Sequence, residues 1–257
     1  MNQILDSQDY GMYSAEDHET WAKLNQRVNL LHDGRISKTF IDGCHKLEFD
    51  QQKIINLEEL SKRMEAISGW TLVPVNGLIP TMDFFYMLIN KKYPITVSIR
   101  KPWELDFSEQ PDIFHDIYGH LPLLLNEKFM QFIASYSKTA FDYVHNERAV
   151  EFLGRLYWYT YEMGLIAEDG VYKPYGAAII TSANEIRNSK DDRVPKHPYS
   201  IDQVFHTPYN PFDLQKEYFV INSFDDLCES MQDLEARIEE NLSTSYKKMK
   251  PMPLTGF

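Results

Sequence analysis

The chain has 257 residues, enough to bury a full core as one large domain or two small ones. Aromatic residues make up 14% of it and the net charge is −12, which excludes a disordered chain and argues against nucleic acid or an anionic membrane surface as partner. The two cysteines, Cys44 and Cys228, share no metal-ligand spacing and read as reduced thiols of a cytoplasmic protein.

The N-terminal residues show no cationic segment followed by an apolar run, so no secretory leader is expected. No stretch approaches the ~18 apolar residues of a membrane span. Ser14 can cap a first helix whose stripe is Trp21, Leu24, Val28 and Leu31. A second helix is expected from Leu57 to Ile67, with Asn56 before it and Gly69 to close it. Two β-like pieces follow, at 71–75 and 95–100, and Thr81 can cap a helix between them. Asp112 opens a short helix that carries His115, and Gly119 and Pro122 end it. Long helices are expected over Lys128–Val144 and Val150–Met163. Asp169-Gly170 signals a hairpin turn. Ser223 with Asp226 marks the start of a last amphipathic helix through Leu227, Met231, Leu234 and Ile238. The residues after Leu242 read as a mobile tail. Helix dominates and no Pro-, Gly- or Ser-rich linker divides the chain, so the fold class is one mainly helical α+β domain with a few short strands.

His115 and His120 stand five apart, and Glu162 follows on a separate helix. Two imidazoles and one carboxylate can hold one face of a metal and leave the other open, as in non-haem Fe(II) oxygen-activating sites. The same ligands could hold zinc. On an unbroken α-helix a spacing of five puts two side chains about 140° apart, so the chain must bend between the histidines. Gly119 would supply that freedom. Two nearby histidines taken alone are more often a surface pair or a satisfied core pair. Asp112 and Asp116 favour the metal reading, because ligating histidines need a carboxylate or carbonyl behind them. His18, His32, His45, His145, His197 and His206 form no comparable cluster.

The segments PDIFHDIYGHLPLL, LYWYTYEMGLI and YGAAIITSANEI resemble the pterin-dependent aromatic amino acid hydroxylases, most of all the short bacterial phenylalanine hydroxylases. The resemblance runs from about Tyr13 to Phe224. It implies a catalytic domain over 13–242, an N-terminal extension over 1–12 and a tail over 243–257. It implies iron bound by His115, His120 and Glu162, a tetrahydropterin (tetrahydrobiopterin or a bacterial analogue), O2 as co-substrate, and a free aromatic amino acid. Gly77, Leu78 and Ile79 match the pterin-binding backbone, and Phe84 matches the ring that stacks on the pterin. Asp116 stands where relatives carry Glu, and Tyr157 lies near pterin and iron. Arg100 matches the arginine that grips the amino acid carboxylate, helped by Ser108 and Thr181. Pro111 and Trp158 match apolar walls around the substrate ring. The regulatory and tetramerising parts of the longer animal enzymes have no counterpart, which implies a monomer.

Met163, Ala178 and the SANE segment depart from the family pattern of EFGL, YGAG and SFGE. They lie near the expected substrate pocket and bear on which aromatic amino acid, and which ring carbon, is attacked. Two other classes stay open on the residues alone. One is a zinc hydrolase with the same ligands and Asp116 as base. The other is a binding or scaffold protein that keeps the fold without catalysis.

Overall fold

The computed structural model describes residues 3–32, 34–106, 108 and 110–248. Helix α1 (Ala15–His32) begins with a reciprocal cap. Ser14 Oγ accepts from the Asp17 N–H at 3.2 Å, and the Asp17 carboxylate accepts from the Ser14 N–H at 2.9 Å. Trp21, Leu24 and Val28 are buried, as their spacing predicts. Helix α2 (Lys38–Leu47) was not expected from the sequence. It turns Phe40, Gly43 and Leu47 inward, a stripe too short to register as a period. Helix α3 (Leu57–Ser68) is capped by Asn56, whose Oδ1 accepts from the Glu58 and Glu59 N–H groups. Gly69 closes it with φ 75°.

Strands β1 (Thr71–Val75) and β2 (Lys92–Thr96) pair in parallel, from Thr71 opposite Lys92 to Val75 opposite Thr96. Helix α4 (Thr81–Ile89) is their crossover. The strand expected at 95–100 is therefore displaced. Pairing stops where β1 ends, with the Val97 N–H on the Val75 carbonyl. Beyond that point the chain bonds to the 112–113 segment, through Arg100 N–H to Asp112 and Ile113 N–H to the Ser98 carbonyl. Thr81 does not cap α4; it is the first helical residue, and Pro80 occupies the cap. The N-terminal segment is tied to this unit by an Ile4–Val75 bridge, and the Tyr13 hydroxyl donates to the Val97 carbonyl at 2.6 Å.

Helices α5 (Glu127–Asp142) and α6 (Glu147–Tyr157) are capped by Asn126 and Asn146. Strands β3 (Leu165–Glu168) and β4 (Val171–Pro174) form the expected hairpin, with φ 54° at Asp169 and 76° at Gly170. Five short elements that carry no clear period follow: α7 (Ala177–Ile180), α8 (Ala183–Asn188), β5 (Lys196–Pro198), α9 (Ile201–His206) and β6 (Tyr218–Ile221). They complete a four-stranded sheet of order β4-β3-β6-β5. The single last helix expected from the sequence is divided into α10 (Phe224–Glu229), a 3-10 turn and α11 (Leu234–Lys248). Its four stripe residues are all buried, so the apolar face was right and the continuity was not. α11 continues past Leu242 to Lys248, and 249–257, the end of the expected tail, lie outside the described residues. One connected buried cluster runs from Trp21 to Ile238. Among the described residues no helix is long and apolar enough to cross a membrane.

Candidate metal centre and its cavity

Both ligand-bearing segments are π-helical turns, His115–His120 and Trp158–Glu162. This corrects the expected bend. In a π turn the backbone bond joins residues i and i+5, so a spacing of five stacks two side chains on one face. The helix widens instead of breaking. Gly119 is needed for proximity rather than for turning: a Cβ there would lie 2.9 Å from Ala177 Cβ. Pro122 does not stop the helix either; it sits in a 3-10 turn, Leu121–Leu125, that follows directly. Asp112 does open the segment, its Oδ1 accepting from the His115 N–H at 3.0 Å.

The three predicted ligands converge. His120 Nε2 lies 3.0 Å from His115 Nε2 and 3.2 Å from Glu162 Oε1, and His115 Nε2 lies 3.5 Å from Glu162 Oε2. Two donors about 2.1 Å from one ion, separated by 90–110°, lie roughly 3.0–3.4 Å apart, so this triangle fits a metal. The chemistry of the donors agrees. Burial pushes His115 down to about 4 against the pull of Glu162, so its imidazole is neutral. Burial alone would raise Glu162, but the two imidazoles hold it below its ordinary value, so it is a carboxylate. Among the described residues, the buried Glu162 Oε2 and His120 Nδ1 have no hydrogen-bond partner. An unpartnered buried carboxylate oxygen beside two imidazoles is a polar atom that a bound cation would satisfy.

The groups behind the ligands differ from expectation. Neither Asp112 nor Asp116 bonds to a ligand ring. Asp112 takes the His115 backbone, and Asp116 Oδ2 accepts from the Thr96 N–H at 2.7 Å. The partner of His115 Nδ1 is Thr181 Oγ1 at 3.1 Å. That hydroxyl donates to the Ala177 carbonyl at 2.8 Å, so it accepts from the ring. The proton is thereby assigned to Nδ1, and Nε2 keeps its lone pair for the metal.

Glu162 is held from behind by glycine. A Cβ on Gly176 would stand 2.4 Å from the Glu162 carbonyl oxygen and 2.5 Å from Gly164 N. Both are backbone atoms and cannot rotate away. Gly176→Ala is therefore expected to cost about 1–3 kcal/mol or more. It should also weaken iron binding, measured by titration with ferrous ion alongside thermal melting. Unchanged melting and affinity would show that the contact can relax.

The ligands open into a cavity of about 660 Å³. Every site residue expected from the sequence lines it. Gly77, Leu78, Ile79 and Phe84 line it, as do Arg100, Ser108 and Pro111. Asp116, Tyr157, Trp158, Met163, Ala178 and Thr181 also contribute to its wall. Gly77 has φ 84°, a conformation that suits glycine. Phe84 meets Tyr157 edge to face at 5.9 Å. Burial pushes the Asp116 carboxyl up to about 7. Ser108 Oγ donates to the Gln110 carbonyl. Arg100 is no free charge. Its Nε and Nη2 donate to Asp112 at 2.8 and 2.9 Å, both residues are buried, and Nη1 has no share in the pair. Wall residues without a sequence signal include Tyr93, a buried β2 residue whose ring lies 5.5 Å from that of His120, and the exposed 211–214 segment. Nothing in their local pattern marks them, because only the tertiary fold brings them to the cavity.

Residues 8–252 match the family model described as biopterin-dependent aromatic amino acid hydroxylase. The chain belongs to that family. It is 39% identical to the phenylalanine-4-hydroxylase of Chromobacterium violaceum over 219 residues, covering 85% of this chain and 73% of that one. It is 34% identical to the phenylalanine-4-hydroxylase of Pseudomonas aeruginosa over 229 residues, 89% of this chain and 87% of the relative. A crystal structure of the Chromobacterium enzyme with bound iron(III) and 7,8-dihydrobiopterin is similar, with a TM-score of 0.86 at 37% identity, covering 92% of this chain and 86% of that one. The expected fold is thereby established, as a hydroxylase catalytic domain. The zinc-hydrolase alternative gains no support from these relatives.

Proposed function

We propose that the chain is a monomeric, cytoplasmic, iron- and tetrahydropterin-dependent monooxygenase that converts free L-phenylalanine to L-tyrosine. The observation that carries this is the joint geometry of ligands and cavity. Three donors grip one side of an ion site, and the open side faces a cavity walled by aromatic rings and one arginine fork. The relatives named phenylalanine-4-hydroxylase support the same substrate.

Bound iron and reduced pterin supply the activation of O2, which is chemistry that side chains lack. The chain's own residues bind and orient. Arg100, with Asp112 holding two of its nitrogens, presents Nη1 to the substrate carboxylate. Ser108 and Thr181 add hydroxyls near it. Pro111, Trp158 and Met163 enclose the aromatic ring and exclude water. Gly77, Leu78 and Ile79 offer backbone groups to the pterin, with Phe84 as its stacking face. Asp116 and Tyr157 line the same cavity and would lie near bound pterin and iron, and a carboxyl whose affinity for a proton is raised by burial can hold one there.

The test is direct. Iron-loaded protein is supplied with tetrahydropterin, O2 and each aromatic amino acid, and products are identified by mass and NMR. Tyrosine from phenylalanine is the expected product. A hydroxylated tryptophan, or a ring hydroxylated elsewhere, would reassign the substrate or the carbon. No pterin-dependent oxygen uptake with any of the three would end the proposal.

A further inference from the structure

Trp158 walls the cavity, yet its indole N–H points out of it, donating to Gln215 Oε1 at 3.0 Å. Gln215 lies between α9 and β6 and is only 5% exposed. All its polar groups are engaged. Its N–H donates to Glu185 Oε1 at 2.9 Å, and its carbonyl accepts from Asn188 Nδ2 at 2.8 Å. Its Nε2 donates to the Asn210 carbonyl at 3.2 Å. Asn210 organises the rim: its Nδ2 donates to Asp213, and its Oδ1 accepts from the Phe212 N–H. The Tyr209 ring lies on the Trp158 indole at 4.5 Å and 15°. Glu185 is fixed in turn by the Tyr218 hydroxyl.

The Trp158 indole N–H is partly buried and finds its partner in Gln215, and a hydrogen-bond network anchored on the buried Gln215 and Glu185 holds its members in one arrangement. Gln215 is where that network meets the cavity wall. We propose that Gln215 is a positioning residue for the aromatic substrate: it sets the plane of Trp158 and locks that plane to the 209–214 rim. It touches neither substrate nor metal. The proposal rests on the reading of this cavity as the amino acid site.

Q215L removes acceptor and donor at similar volume. Its KM for phenylalanine should rise about three- to tenfold, the size of one lost hydrogen bond. Tyrosine formed per pterin oxidised should fall, while iron affinity and the KM for pterin stay as in the wild type. In the metal-free protein the Trp158 indole N–H resonance, identified by its loss in W158F, should shift. In the W158F background Q215L should change KM no further, because the bond to the indole is already gone and the remaining Asn210 bond acts on the substrate only through that ring. An unmoved indole resonance, an unchanged KM, or an equal rise in the W158F background would overturn the assignment. Should Q215L not fold, Q215M, unbranched and of similar length, carries the same test. Wild-type conversion of phenylalanine in the same assay separates failure here from failure of the proposed function.

Discussion

Replacing Glu162 by alanine should abolish iron binding, pterin-dependent turnover and the stabilisation that iron gives the folded protein. Glu162 is a buried carboxylate beside His115 and His120, and it supplies the anionic donor of the set. Bound metal adds its binding free energy to the stability of the folded state. Iron at a hundredfold over its Kd adds about 2.7 kcal/mol. For a chain of this size that is roughly 5–10 °C in Tm. Ferrous ion should therefore raise the melting temperature of the wild type and not that of Glu162→Ala. His115→Ala should lose the iron shift and the turnover in the same way. A variant that still melts higher with iron, or still turns over, would disprove the ligand assignment.

The second large effect is expected at Asp112. Its carboxylate receives two nitrogens of Arg100, the Arg100 N–H and the His115 N–H. Burial would raise its affinity for a proton, but the guanidinium beside it holds it below its ordinary value. Asp112→Ala strands a buried guanidinium, a change that costs about 3–5 kcal/mol. The lost cap on the ligand turn adds about 1 kcal/mol. The expected fall in Tm is on the order of 10 °C, with loss of amino acid binding because the fork is no longer aimed. Arg100→Met added to Asp112→Ala should recover much of the stability and none of the binding. Calorimetry on the single and double variants decides this. An Asp112→Ala protein that melts like the wild type would mean that water solvates Arg100 and that the pair is not structural.

Much of this site was legible in the sequence because its signals are local. Asn56 and Ser223 cap where short polar residues precede an apolar stripe. The ligand triad and the cavity-lining residues were readable from the motifs that carry them. What was not legible depends on backbone hydrogen bonding across distance. Five residues between two histidines look like a broken α-helix, since nothing in the side chains announces a π turn. β2 ends where β1 runs out of partners, which no propensity encodes. Thr181, which the motif alone places at the substrate carboxylate, bonds to the ring of His115, a contact made across 66 positions of chain. Gln215 has no signature in the sequence, because a lone glutamine in a loop has no pattern.

The widened turn at His115–His120 has an arithmetic corollary for insertions and deletions. Four residues of ordinary α-helix would also align two imidazoles, so excising one codon between them need not separate the pair. It would swing everything downstream by about 100° around the axis. Leu121, Leu123 and Leu124 are each fully enclosed and would lose their seats together. The hydrocarbon beneath the next turn, more than the ion above it, therefore fixes the reading frame of this segment.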